Sequence, residues 1–366
     1  MTKIEVSVAS SRGSDREVWQ HAWETCGREP FAHPDYVELF TSEGEEALCA
    51  MARSATGLAL VPFILRPIQA EGWRHATSLR DASSPYGYGG PYGHGTPAWD
   101  GLWAGFAQWM TGNNVVSMFG RLSLDAQVPI DLPPGVSVRS DSANVIVDLT
   151  RSVEEQWRRY EHKVRKNVKK AIRANLQVEI KESFTDLEEF AQLYETTMDR
   201  RAASSWYHFG LDFFDTLTER LRGSYIAAEV RDETNRLVSA ELVLCSDKYF
   251  YSFLGGTLRQ AFPSAPNDLL KHAVIDYGRE SGHIGYVLGG GYTRDDGIFR
   301  YKKSFDPAGC TPFQKLELIA DQKAYDSLVA ARLRHERSTD LGARLADGFF
   351  PFYRSQVLLD EQENTR

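Results

Sequence analysis

Residues 224–254, SYIAAEVRDETNRLVSAELVLCSDKYFYSFL, hold three β-rich runs separated by two short polar turns, Thr234-Asn235-Arg236 and Cys245-Ser246-Asp247-Lys248. Runs at 224–231, 237–246 and 248–254 broken by turns this tight predict three sequential antiparallel strands, a meander. Helices are expected before it over 153–175, 186–199 and 209–221, and after it, past an irregular loop at 255–267, over 268–281. Strands are expected over 144–149, 286–288 and 314–319. Blocks of strands mixed with packed helices predict an α+β fold with mixed, largely antiparallel sheets rather than a doubly wound dinucleotide fold.

The first half reads in a similar order. A strand is expected over 3–8, a helix over 17–26, a turn at Arg28-Glu29-Pro30 and a second helix from Pro34. Strands over 47–54 and 57–66 flank Ala55-Thr56-Gly57 as in a hairpin. A helix over 98–111 and a strand over 115–122 close the half, and Pro129, Pro133 and Pro134 punctuate a linker. From 321 to about 349 the apolar residues Tyr325, Leu328, Val329, Leu333, Leu341 and Leu345 follow a helical period, so this tail is expected to pack back on the body, with residues 361–366 frayed. A chain of 366 residues exceeds the roughly 150 that one core usually organises. The expected division is 1–143, 144–320 and a helical segment 321–366.

Composition excludes several classes. With 42% hydrophobic and 25% charged residues the chain is an ordinary globular protein. Its net charge of −8 and pI near 5.7 confine any nucleic-acid contact to a local patch. Cys26, Cys49, Cys245 and Cys310 are scattered without zinc-ligand spacing, so they read as free thiols with no metal. The start of the chain lacks a signal-peptide pattern, and no window reaches the ~18 to 20 apolar residues of a membrane span. The expected compartment is therefore the cytoplasm. Walker, GxGxxG and nucleophile-elbow motifs are missing, which disfavours nucleotide hydrolysis, dinucleotide redox chemistry and serine hydrolysis.

Four stretches carry candidate chemistry. Residues 289–305, GGGYTRDDGIFRYKKSF, join a glycine run to Arg294, Arg300, Lys302 and Lys303 among Tyr292, Phe299 and Tyr301. Glycines let amides approach an anion and the cations hold it, so this is a candidate phosphate or acyl-phosphate site; a hairpin with a solvated basic edge is the alternative. Residues 83–95, SSPYGYGGPYGHG, with Tyr88 among three tyrosines, are expected to line or cover a cleft. Residues 157–173 form a densely basic helix in which Lys166 and Lys170 repel at one-turn spacing, either a phosphate track or a solvated face. Arg200 and Arg201 end a helix before Trp206 and Tyr207; they serve as an anion clamp or as a complement to the helix dipole.

The order of the second unit, with KVRKNVKKA at 163–171, FLGG at 253–256 and GG at 289–290 leading to KKSF at 302–305, resembles the Fem family of peptidyltransferases and its acetyltransferase-like relatives. PFAHP at 30–34 and YGYGGP at 86–91 extend the likeness over roughly 31–319. The resemblance implies two tandem acetyltransferase-like (GNAT) domains. It implies transfer of an aminoacyl group from aminoacyl-tRNA to an amine of a cell-wall precursor or small molecule, with no cofactor. It also carries roles over to residues. Lys302, after Tyr301, is the cation near substrate phosphate and the developing carbonyl charge. Tyr251 or Phe253 lies beside the reacting centre, His33 and Tyr36 approach from the first domain, and Asp295 or Asp296 takes the amine proton or pairs with Arg294 or Arg300. Arg200 or Arg201 binds phosphate; Tyr88 and Arg300 line the substrate site. With no long helical hairpin present, Lys166, Lys169 and Lys170 would meet the tRNA. Residues 259–267, RQAFPSAPN, stand where acyl-CoA enzymes bind pyrophosphate, and two prolines there remove amide donors. An N-acyltransferase fed by acyl-CoA or an acyl-carrier protein, and a non-catalytic binder of a phosphorylated glycan or lipid carrier, are the alternatives.

Overall fold

The structure, a computed structural model, describes residues 4–68, 73, 78–126, 135–291, 293, 296–338, 344–346 and 348–358. In chain order the elements are β1 (Glu5–Ser10), α1 (Asp15–Thr25), α2 (Pro34–Leu39), β2 (Glu46–Arg53), β3 (Gly57–Pro67), β4 (Arg80–Ser83), β5 (Tyr92–Gly95), α3 (Trp99–Gly112) and β6 (Val115–Arg121). β7 (Val136–Asp148), α4 (Val153–Arg159), α5 (His162–Arg173), β8 (Gln177–Lys181), α6 (Leu187–Arg200), α7 (Leu211–Arg220), β9 (Tyr225–Arg231), β10 (Leu237–Cys245) and β11 (Tyr249–Thr257) follow. The chain continues with α8 (Pro266–Glu280), β12 (Gly285–Gly289), α9 (Gly297–Lys303), β13 (Cys310–Ile319), α10 (Gln322–Ser338), β14 (Arg344–Leu345) and β15 (Val357–Leu358).

Two compact units result, one of Met1–Cys26, Phe31–Ser140 and Gln314–Arg366, the other of Gly27–Pro30 and Asp141–Phe313. In the first, β1, β2, β3 and β4 are antiparallel neighbours, the helical crossover α3 brings β6 parallel to β4, and the end of β13 pairs antiparallel with β6. In the second, β8, β9, β10 and β11 are antiparallel, the crossover α8 brings β12 parallel to β11, and the end of β7 pairs antiparallel with β12. One topology therefore occurs twice, and the α+β class with largely antiparallel pairing is as the sequence predicts.

Each unit has its own core. Phe63, Trp103, Phe106, Met118, Leu316 and Leu318 fill the first. Its carboxyl-terminal segment is pinned by fully buried Asp81, which accepts from Arg66 Nε at 2.9 Å, Arg354 Nε at 2.5 Å and Tyr353 OH at 3.1 Å. In the second unit α8 turns Leu270, Val274 and Ile275 onto Val145, Val147, Phe250 and Tyr286. Gly278 lets that helix close in, since a Cβ there would lie 2.8 Å from a Leu149 methyl.

Several elements differ from expectation. The helix expected over 153–175 breaks into α4 and α5 because Tyr160 and Glu161 turn extended, with ψ of 138° and 154°. Fully buried Tyr160 explains the break: turning its ring into the core contributes about 2 kcal/mol of apolar transfer. The Arg165 guanidinium then takes the freed Tyr160 carbonyl. The irregular loop at 255–267 contributes β11 up to Thr257 and a 3-10 turn at Arg259–Ser264. The tail helix stops at Ser338, and Leu345 lies in a short strand; Leu341 and the prolines at 129, 133 and 134 lie outside the described residues. The tyrosine loop is partly built into the first unit: β5 pairs with β3, and Tyr88 packs edge-on to Phe31 at 5.2 Å.

Candidate active site

In the second unit the parallel pairing of β11 and β12 runs only from Tyr249 opposite Gly285 to Tyr251 opposite Val287, after which both strands continue. The register between β10 and β11 also shifts: Leu242 opposes Leu254 while Val243 opposes Ser252, so Phe253 is the extra residue of a bulge. A bulge bends its strand and re-aims the side chains around it. β11 and β12 thus part at the level of Phe253, and cationic side chains gather at their two ends.

At the end of β12, Gly289 adopts φ +78°, a left-handed turn that glycine makes without strain. The next carbonyl, Gly290 O, accepts a 2.7 Å hydrogen bond from Lys302 Nζ on α9. That short helix is set by Asp296: Oδ1 accepts from Phe299 N at 2.7 Å and Oδ2 from Thr293 N at 3.1 Å. Asp296 is thereby placed as a helix cap, a role that the sequence reading did not consider. Tyr301, the residue before Lys302, takes a 2.9 Å hydrogen bond from Asn267 Nδ2 at the start of α8. Burial, followed by the neighbouring charge of Lys271, pushes the Lys302 ammonium down to about 8. An ammonium has three donors, and beyond the Gly290 carbonyl those of Lys302 have no partner among the described residues.

At the end of β11, Arg200 Nη1 donates to Thr257 O at 2.8 Å and its guanidinium lies 4.9 Å from the Phe262 ring centre. Burial, then the charges of Arg201 and Arg259, lowers its pKa. Arg201 is exposed at the end of α6, and its positive charge also acts on Lys302. The side chains of Arg201 and Lys302 both lack an acidic partner among the described residues. Cations brought this near to one another make a candidate anion site.

Beneath them lies a knot of polar groups that the sequence reading missed. Lys271 Nζ on α8 donates to Glu241 Oε1 at 2.6 Å, Ser252 Oγ at 2.7 Å and Tyr286 OH at 3.1 Å. Tyr286 OH donates to Glu241 Oε2 at 2.8 Å, and Ser252 Oγ donates to Glu241 Oε1. Burial lowers the Lys271 pKa and Glu241 opposes the shift. The signal was available: Glu241 is an acid in the middle of an apolar strand, and Lys271 sits on the α8 stripe with Val274, Ile275 and Gly278.

The other expected residues are placed as follows. Tyr251 is buried on β11 and donates to Glu29 Oε2 at 2.7 Å within the same unit. Phe253 is the bulge residue, and Arg300 is exposed on α9. Lys166, Lys169 and Lys170 are exposed on α5, whose opposite face buries Val164, Val168 and Ala171; Lys169 Nζ lies 5.8 Å from the Trp157 ring centre. His33, Tyr36 and Tyr88 belong to the first unit. His33 caps α2, with Nδ1 accepting from Asp35 N at 3.2 Å, and burial pushes its imidazole down to about 4. Tyr36 OH donates to Tyr86 O at 2.9 Å. Tyr292, Arg294 and Asp295 lie outside the described residues. Among the described residues no group of His, Cys, Asp and Glu is arranged to hold a metal ion, and no helix is long and apolar enough to cross a membrane.

Residues 158–303 match the family model of the acetyltransferase (GNAT) domain. Among solved structures the chain is similar to FemX, with a TM-score of 0.64 and 13% identity over 88% of this chain and 99% of that one. It is also similar to the C-terminal domain of a putative lysylphosphatidylglycerol synthetase from Agrobacterium fabrum, with a TM-score of 0.54 and 15% identity over 90% and 97% of the two chains. L-PGS from Bacillus licheniformis aligns with a TM-score of 0.55 and 12% identity over 89% and 98%. No curated protein sequence matches the chain.

Proposed function

Because the chain has the Fem-type GNAT-like fold and carries a GNAT acyltransferase domain in its second unit, we propose that it transfers an aminoacyl group from aminoacyl-tRNA to an amine of a small-molecule or cell-wall precursor. The observation that carries the choice of donor is the start of α8, where a GNAT domain would receive the pyrophosphate of coenzyme A. Pro266 removes one amide, and Asp268 sets a buried carboxylate in the first turn, where it accepts a 3.1 Å hydrogen bond from Asn167 Nδ2. A helix N-terminus with one amide removed and a buried carboxylate in its first turn is a poor pyrophosphate site. These residues favour the tRNA donor over coenzyme A.

In the proposed reaction the acceptor amine attacks the ester carbonyl of the donor. A C–N bond forms, the ester C–O bond breaks, and the amine proton passes to the departing ribose oxygen. Lys302 supplies a fixed cation for the oxyanion that develops between these events, and Arg201 with Arg200 holds phosphate beside it. Asp296 orients Lys302 by starting α9, Arg300 and Tyr301 flank it, and Tyr251 and Phe253 form the wall of the reacting centre. Lys166, Lys169 and Lys170, exposed in an acidic protein, meet the donor's phosphate backbone. Radiolabel that moves from aminoacyl-tRNA into amine products of a cell extract, and is lost after ribonuclease treatment, supports this reading. Transfer only from a thioester refutes the choice of donor.

A further inference from the structure

The Lys271 knot is an unusual expenditure for a core. A buried ion pair returns little net stability against an apolar replacement of the same size, because both charges must leave water. Here every donor of the Lys271 ammonium has an acceptor, and Glu241 receives three hydrogen bonds. The knot ties β10, β11 and β12 to α8 where β11 and β12 part. Its position relative to Lys302 is fixed twice over. Asn267 and Lys271 lie one turn apart on α8, and Asn267 grips Tyr301, the neighbour of Lys302. Tyr286 stands on β12 four residues before Gly290, whose carbonyl, just past the end of the strand, holds Lys302 Nζ.

We propose that Lys271, locked by Glu241, Ser252 and Tyr286, is a positioning residue for Lys302, holding the reactive ammonium at the parted ends of β11 and β12 and setting its charge. The proposal rests on the acyl-transfer reading and deepens it. The charged groups acting on Lys302 are Lys271 from α8, Glu241 from β10, Asp296 at the start of its own helix and Arg201 at the end of α6. Lys271 is the largest of these influences, and it works against the charged form.

The test reads Lys302 directly. Trace acetic anhydride labelling of the full chain across a pH series, followed by peptide mass spectrometry, gives the titration midpoint of Lys302 without any donor. Lys271→Met removes the repelling charge, so the midpoint should rise by about one pH unit. Because a lone Glu241 threatens folding, Lys271→Met/Glu241→Gln is the second variant; it should also rise, by less, and Lys271→Arg should hold the wild-type midpoint. The basic limb of transfer activity should follow the same order. An unchanged midpoint in the double variant, with cooperative melting retained, overturns the proposal. A midpoint that moves while the activity limb stays fixed upholds the coupling and removes Lys302 from the reaction, so the two failures are distinguishable.

Discussion

Replacing Lys302 by alanine probes the proposed chemistry at its centre. The side chain is anchored through a single 2.7 Å bond to Gly290 O, and its removal deletes a donor without opening the core, since the residue is only half-buried. Loss of one oxyanion donor costs about 3 kcal/mol in the transition state, so kcat should fall by about two orders of magnitude with little change in KM. The pH profile supplies an independent magnitude. With its pKa near 8, the ammonium is fully charged well below that pH and loses its proton above it. The rate should therefore fall as pH rises through about 8 and be down about tenfold one pH unit higher. Lys302→Arg keeps the charge at all accessible pH and should abolish this limb while leaving a reduced plateau. The assay is transfer from a labelled donor, corrected for spontaneous ester hydrolysis measured without enzyme. A Lys302→Ala enzyme with wild-type kcat, or a basic limb that persists in Lys302→Arg, refutes the assignment.

Other outcomes follow from the same structure. Neutralising Lys166, Lys169 and Lys170 together should weaken donor binding and flatten its log–log salt dependence by about two to three slope units, with circular dichroism unchanged because all three are exposed. His33 is held neutral in the fold, down to about 4 from an ordinary 6.5. The unfolded chain thus binds the extra proton first as pH falls, and about 3 kcal/mol of stability is lost between those two values. His33→Asn preserves a capping side chain and should remove that part of the acid sensitivity in denaturant titrations. Asp81→Ala strands Arg66 and Arg354 around a buried site; it should cost about 3 to 5 kcal/mol, seen as a lowered melting temperature.

The repeated antiparallel block and the amphipathic crossover helix were legible because periodicity reports burial directly. The meander is the clearest case: its two turns place β9, β10 and the start of β11 within one residue of their observed positions, and β11 then runs three residues beyond its expected end, to Thr257. The break between α4 and α5 was not legible, since it depends on Tyr160 reaching a core assembled from distant strands. The cationic, aromatic stretch that holds Tyr301 and Lys302 stood out by composition, and the family resemblance singled out that pair within it. The Lys271–Glu241 knot did not, because its members lie thirty residues apart and are charged in opposite senses; only the fold reveals that each neutralises the other. Asp296 illustrates the reverse problem, a carboxylate that chemistry nominates as a base and local geometry employs as a helix cap.

The identity of the donor decides which reaction the protein performs. Purified protein should be supplied, in parallel, with a labelled aminoacyl-tRNA mixture and with labelled acetyl-CoA, using the same amine acceptors and a Lys302→Ala control. Amide product is expected from the tRNA donor alone, lost with ribonuclease and reduced about a hundredfold in the control. Product from acetyl-CoA at equal or greater rate would contradict this expectation.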